Sequence, residues 1–237
     1  MNLTIFVPLL IAHVLGDFYL QNDKQCRNKD EKKFRSPYLY VHSLVIGLLS
    51  WIMVSSSGFW WCAVVIAFSH CVIDLEKSYM TDRGLSAFVC DQLAHIAVML
   101  TVAIYWEIND ADSMPLISYV PSVWGAIDFP MFFLVVLLCL KPANIFIKLV
   151  LARYNVGESK SCSEIRNAGA LIGNLERLLT LILVIFGQFE AVGFVVAAKS
   201  LLRFKDTDTA KTEYVLAGTF LSFGIAVVLG LCVKLLL

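Results

Sequence analysis

The sequence predicts an all-α integral membrane protein of about eight transmembrane helices, one of them short. Three observations carry that expectation. Of 237 residues, 59% are hydrophobic and only 16% charged, where soluble domains run at about half and about a quarter; mean hydropathy is +0.75. The apolar runs approach the ~20 residues that cross a bilayer. The loops between them alternate in charge, as they do when Lys and Arg are retained on one side of a membrane.

In chain order, the first span is expected over roughly Leu3–Leu20. It has no basic segment before it and no small-residue cleavage site after it, so it reads as a retained helix. The loop from Asn22 to Ser36 holds six basic residues, Lys24, Arg27, Lys29, Lys32, Lys33 and Arg35, against three acidic ones. Spans over Tyr38–Val54 and Phe59–Ser78 follow, separated by an uncharged turn, and Lys77 and Arg83 precede a fourth span over Leu85–Trp106. The next segment, to Ser122, carries Glu107, Asp110 and Asp112, with Asp128 beyond and no Lys or Arg. A fifth span, Val123–Leu140, leads to Lys141, Lys148, Arg153, Lys160 and Arg166. Spans over Ala168–Gly187, Ala191–Phe204 and Tyr214–Leu237 complete the chain, with Lys205 and Lys211 before the last. The positive-inside bias then puts the odd-numbered loops in the cytoplasm and both termini outside.

Pro115 and Pro121 mark the acidic segment as the boundary between a four-span half at 1–106 and a second half at 123–237, with 107–122 as the loop between them. Trp51, Trp60, Trp61, Trp106 and Trp124 fall at expected outer ends, as interfacial tryptophans do. Seven cysteines without a C-x-x-C pair read as reduced core residues. A formal net charge of zero points to no nucleic-acid partner.

All four histidines lie in the first half, at His13, His42, His70 and His95. Asp17 and Asp74 follow His13 and His70 by four residues, and Asp91 precedes His95 by four, so each pair shares a helix face. Spans one and three run toward the cytoplasm and span four away from it. A common layer of groups must therefore appear in reverse order on span four, and it does. Ionisable residues in apolar spans are expensive, and their default reading is functional. Imidazole and carboxylate suit one or two divalent ions, Zn foremost, then Mn or Fe. Asp17, Asp74 and Asp91 are the candidates for an additional catalytic role as base or orienting group. Two other readings stay open: mutually satisfying His–Asp hydrogen bonds that hold helices together, and a proton or metal pathway.

The second half has no histidine, but Glu176 and Arg177 lie inside span six and Glu190, Lys199 and Arg203 on or beside span seven. Neighbours on a helix do not face each other, so Glu176 and Arg177 need different partners, and structural ion pairs are expected for Glu176, Arg177 and Glu190. Lys199 and Arg203, four apart, are candidates to hold a lipid phosphate, as is Lys77, which continues the face of His70 and Asp74. Gln21 continues the face of His13 and Asp17.

The strings AHVLGDFYLQ (Ala12–Gln21), HCVIDLEK (His70–Lys77) and DQLAH (Asp91–His95) resemble an uncharacterised family of bacterial multi-span membrane proteins, as do IGNLERLL (Ile172–Leu179), GQFEAVGF (Gly187–Phe194) and AAKSLLRF (Ala197–Phe204). The resemblance implies a multi-pass protein of the bacterial inner membrane. In style the His/Asp layout is also similar to bacterial membrane-bound metal-dependent hydrolases, which implies a hydrolase acting on an ester or phosphoester of a membrane lipid. A divalent-metal or proton transporter and a metal-stabilised sensor or assembly partner are the alternatives, and an oligomer is compatible with each.

Overall fold

In the computed structural model, residues 5–81, 84–109, 129–154, 166–203 and 209–236 are described, and among them every regular element is helical. Among the described residues, five helices are long and apolar enough to cross a membrane: Pro37–Val54, Ser57–Tyr79, Leu85–Asn109, Phe129–Arg153 and Glu213–Leu235. A shorter apolar helix spans Phe6–Leu20. The described residues are thus all-helical, with the helices of a multi-pass membrane protein. It divides into two compact units, Met1–Leu134 and Val135–Leu237, each taken here by itself. The division falls later than the acidic segment, whose residues 110–122 lie outside the described ones.

The first unit is built from α1 (Phe6–Val14), α2 (Asp23–Lys32), α3 (Pro37–Val54), α4 (Trp60–Tyr79) and α5 (Leu85–Asn109). α1 runs on as a π-helical stretch over Leu15–Leu20, the wider winding that recurs at functional positions. Each long helix buries one stripe and exposes apolar side chains elsewhere, the inside-out polarity suited to lipid. α4 buries Ile66, His70, Asp74 and Ser78 while exposing Val64, Phe68 and Val72; α5 buries Asp91, His95 and Met99 while exposing Leu93.

Two glycines let the helices approach closely, as small residues do in membranes. A Cβ at Gly16 would stand 2.0 Å from Ile46 Cδ1, which brings the end of α1 onto α3. A Cβ at Gly47 would stand 2.9 Å from the Ala63 carbonyl oxygen and 2.8 Å from Ala67 Cβ, so α3 and α4 touch nearly backbone to backbone.

Residues 22–36, expected as a charged loop, instead form α2 and a 3₁₀ turn over Lys33–Arg35. Asn22 and Gln25 close a reciprocal capping box, each side chain bonding the other's backbone N–H at 3.0 Å, and this starts α2 in a strongly polar sequence. α2 packs on α3 and α4 through one buried residue, Lys29. Trp106 also departs from expectation. It is buried edge-on against Phe59 at 5.0 Å, in the apolar core rather than at an interface; Trp124 lies outside the described residues.

The second unit holds the end of α6 (Phe129–Cys139), then α7 (Lys141–Arg153), α8 (Arg166–Ile185), the short α9 (Phe189–Arg203) and α10 (Thr209–Leu236). Lys141, Lys148 and Arg153, expected in a loop, lie on α7. The helix breaks at Leu140 and restarts at once, because Pro142 sits in the first turn of α7, where its missing N–H has no cost. α10 packs against α7, α8 and α9.

A buried histidine–aspartate centre

The stripes of α1, α3, α4 and α5 bring His13, Asp17, His42, His70, Asp74, Asp91 and His95 into one cluster inside the first unit, as their spacing predicts. The four histidines, Asp74 and Asp91 are buried, and the Asp17 side chain is 11% exposed. So many ionisable groups out of water are tolerable only where each is paired or holds an ion.

The tightest part is a triangle. Asp17 Oδ1 lies 3.0 Å from His42 Nε2 and 3.2 Å from His70 Nε2, and the two nitrogens are 2.9 Å apart. Hydrogen bonds alone serve this triangle poorly. If both imidazoles donate to Asp17, their N–H groups face each other; if one donates to the other, the accepting nitrogen turns its lone pair on the carboxylate. With metal–ligand bonds of about 2.0–2.1 Å, ligand atoms set between right and tetrahedral angles stand about 2.9–3.4 Å apart. The triangle has those edges, so a cation bound across it would satisfy all three atoms.

Two further groups also have the composition and spacing to hold an ion: His13 with His70 and His95, and Asp74 with Asp91 and His95. The latter is wider. His95 Nε2 is 3.6 Å from Asp91 Oδ1 and 4.0 Å from Asp74 Oδ1, and His95 Nε2 and Asp91 Oδ1 have no hydrogen-bond partner among the described residues. The groups are linked by His70 Nδ1 and His95 Nδ1, 2.9 Å apart, and by a 3.8 Å approach of Asp74 Oδ2 to His42 Nε2.

Two residues join the centre that sequence reasoning left out of it. Lys29, brought back by α2, donates to Asp74 Oδ2 in a buried ion pair. Gln92 accepts from His13 Nε2 at 3.3 Å and donates to Asp91 Oδ2 at 3.1 Å and Asp17 Oδ2 at 3.4 Å, tying α1 to α5. Lys77, which was expected beside the centre, donates to Asp91 Oδ2 at 2.6 Å with its side chain half-exposed. Gln21 accepts from Cys26 Sγ at 3.2 Å, and its buried amide nitrogen has no acceptor among the described residues.

At the far end of the histidines is a cavity with room for about one water, lined by His13, His70, His95, Ser69 and apolar Ile46, Ile66, Val98 and Met99. Beyond it the core is apolar, with Leu9, Phe59, Val102 and Trp106.

In the second unit, Lys199 pairs with Glu176 across α8 and α9. Arg177 differs from the ion pair expected of it. Only 2% exposed, it is held by uncharged acceptors: the Cys139 carbonyl, Ser222 Oγ at 2.8 Å, Asn144 Oδ1 at 2.6 Å and Asn174 Oδ1 at 2.7 Å. The helix break at Leu140 leaves the Cys139 carbonyl free to accept. Glu190 is exposed and forms no ion pair among the described residues. The side chain of Arg203 lies outside the described residues.

A bundle of apolar helices with exposed aliphatic faces and a buried His/Asp centre defines a class: all-helical proteins of multi-pass type carrying an intramembrane polar site. Residues 5–121 of the chain match the family described as "Protein of unknown function (DUF3307)". That segment contains all seven centre residues, while the motifs from Ile172 onward lie beyond it. No curated protein and no solved structure matches the chain.

Proposed function

We propose that the chain is a metal-dependent hydrolase of the bacterial inner membrane, acting on an ester or phosphoester presented from the cytoplasmic leaflet, with eight membrane-crossing or membrane-embedded helices and both termini outside. The observation that carries this reading is the triangle of Asp17 Oδ1, His42 Nε2 and His70 Nε2, three donor atoms at 2.9–3.2 Å from one another. Two imidazoles and one carboxylate are three protein ligands, the number that leaves a fourth position open in catalytic zinc sites. Bound there, a divalent ion would supply Lewis acidity toward the substrate oxygen and make a nearby water more acidic.

Tautomers favour one ion over two. With its Nε2 lone pair engaged, His70 carries its proton on Nδ1 and donates it across 2.9 Å to His95 Nδ1. His95 then keeps its proton on Nε2, toward Asp91 Oδ1 and Asp74 Oδ1. A second ion on His95 Nε2 would set two N–H groups against each other at the Nδ1 contact. Asp17 is therefore the ligand among the three aspartates. Asp74, nearest the triangle, is the base that takes a proton from water, and Asp91 orients His95. Water adds across the ester bond to leave an acid and an alcohol.

The one-sided shape supports turnover over transport. Ser43, Ser50 and Thr101 bond the carbonyls of Leu39, Ile46 and Ala97 in their own helices, and the apolar core closes the end away from Lys29 and Lys77. Metal analysis of the purified protein tests the proposal. One equivalent of Zn, Mn or Fe is expected, lost together with ester or phosphoester turnover in His70→Ala and Asp17→Asn, with turnover alone lost in Asp74→Asn. A metal-free protein of undiminished stability refutes it.

A further inference from the structure

Charge at the centre does not balance once an ion is present. Asp17, Asp74 and Asp91 bring three negative charges, and Lys29 and Lys77 two positive ones. A divalent ion turns the excess from one negative to one positive. A positive excess where the dielectric is low calls for an anion. The two lysines are also under-used as donors: an ammonium has three N–H groups, and among the described residues Lys29 Nζ bonds only Asp74 and Lys77 Nζ only Asp91.

Both ammoniums reach the centre from the same end of the bundle. Asp74 and Lys77 lie in the last turns of α4, and Asp91 lies near the start of α5. α2 folds over this end, with Lys33 Nζ 4.2 Å above the Tyr79 ring. At this end an open groove of about 380 Å³ is lined by Tyr79, Met80 and Thr81 after α4 and by Ser86, Ala87 and Cys90 of α5. Its last residue precedes Asp91 and its first lies two past Lys77. The groove is mainly apolar with the hydroxyls of Tyr79, Thr81 and Ser86 in its lining, whereas the two lysines at the same end of the bundle are cationic, which matches an amphiphile whose polar end is an anion.

We propose that Lys29 and Lys77 form an anion clamp beside the ion site, and that its ligand is the phosphate of a phospholipid whose glycerol and acyl region lies in the α4–α5 groove. This rests on the hydrolase reading for its consequence and names the substrate class, a lipid phosphate ester. Lys29 and Lys77 hold the phosphate through N–H groups left over from Asp74 and Asp91, and in doing so orient it toward the triangle.

Full-length protein in detergent, with and without Zn²⁺, is titrated with dioctanoyl phosphatidate, dioctanoylglycerol and inorganic phosphate, with binding read by native mass spectrometry. Phosphatidate is expected to bind at least tenfold more tightly than either other probe. Lys77→Gln, whose amide can still donate to Asp91, and Lys29→Gln are each expected to weaken it tenfold or more, with thermal unfolding of the same samples showing that they remain folded, and Lys24→Gln on the exposed side of α2 to leave it unchanged. Equal binding of phosphatidate and dioctanoylglycerol, or unaltered affinity in Lys77→Gln, overturns the clamp. Inorganic phosphate binding as tightly as phosphatidate overturns the lipid source. Metal retained without phosphatidate binding removes the clamp and leaves the ion site, while phosphatidate bound by a protein that takes no metal does the reverse.

Discussion

Gly47→Ala tests whether the ion site depends on the close approach of α3 and α4. The added methyl group would sit 2.9 Å from the Ala63 carbonyl oxygen and 2.8 Å from Ala67 Cβ. The oxygen belongs to a helix backbone and has no rotamer to change. Carbon–oxygen contacts settle at about 3.3–3.6 Å, so the two helices must part locally by about 0.4–0.7 Å. His42 and His70 sit on those two helices, and their nitrogens are 2.9 Å apart. Metal sites keep their bond lengths within about 0.2 Å, so the shift exceeds the tolerance. The expected result is a ~10–100-fold loss of metal affinity, comparable with loss of an outer-shell partner, and ~1–3 kcal/mol of destabilisation from overpacking. Metal titration with a competing chelator and thermal unfolding in detergent measure the two effects. Gly193→Ala is the control, because a Cβ there meets nothing within 4 Å. Metal affinity and stability in Gly47→Ala equal to those of Gly193→Ala would show that the helix contact does not set the site.

Arg177→Met strands Ser222 Oγ, Asn144 Oδ1 and the Cys139 carbonyl, while Asn174 Oδ1 keeps the Asn144 amide at 2.8 Å. At ~1–3 kcal/mol for each buried acceptor left unsatisfied, thermal unfolding should register a loss of at least ~3 kcal/mol. Arg177→Lys should recover only part, because an ammonium cannot reproduce the guanidinium fork; a variant as stable as the parent contradicts the assignment. Burial pushes the Cys26 thiol above its ordinary value, so less thiolate is present at neutral pH. Maleimide should modify Cys26 slowly at pH 7, gaining rate as pH rises beyond the normal thiol range, and mass mapping of the modified peptide reads this out. Rapid labelling at pH 7 contradicts it.

The seven centre residues were legible because an α-helix converts a four-residue spacing into one face, and charged loops give helix direction. His70 and Asp74 on α4 and the reversed pair on α5 needed nothing more. Lys29 was not legible in the same way. α2 is polar on all sides, so no apolar stripe marks its inward residue, and Lys29 is one of six basic residues in its segment. Asn22 and Gln25 were the available signal, a capping box that starts a helix where the charge suggested a loop. Gln92 was hidden by its lack of charge, although an amide beside Asp91 in an apolar span is itself costly. α7 was missed because Lys141, Lys148 and Arg153 read as a charged loop, whereas Pro142 in a first turn is a helix start.

The clasp around Arg177 has a consequence for how the chain is made. A translocon releasing an arginine at the centre of a helix into lipid faces about 2.5–3.5 kcal/mol against it. Cys139, Asn144 and Asn174 are synthesised before Arg177 and are ready to receive its N–H groups, whereas Ser222 arrives 45 residues later. In the proposed eight-helix topology, α8 is then accepted into the bilayer as a partner for helices already delivered, and the last bond closes only when α10 follows. Truncation before Ser222 should yield a chain that inserts but stays open to membrane proteases.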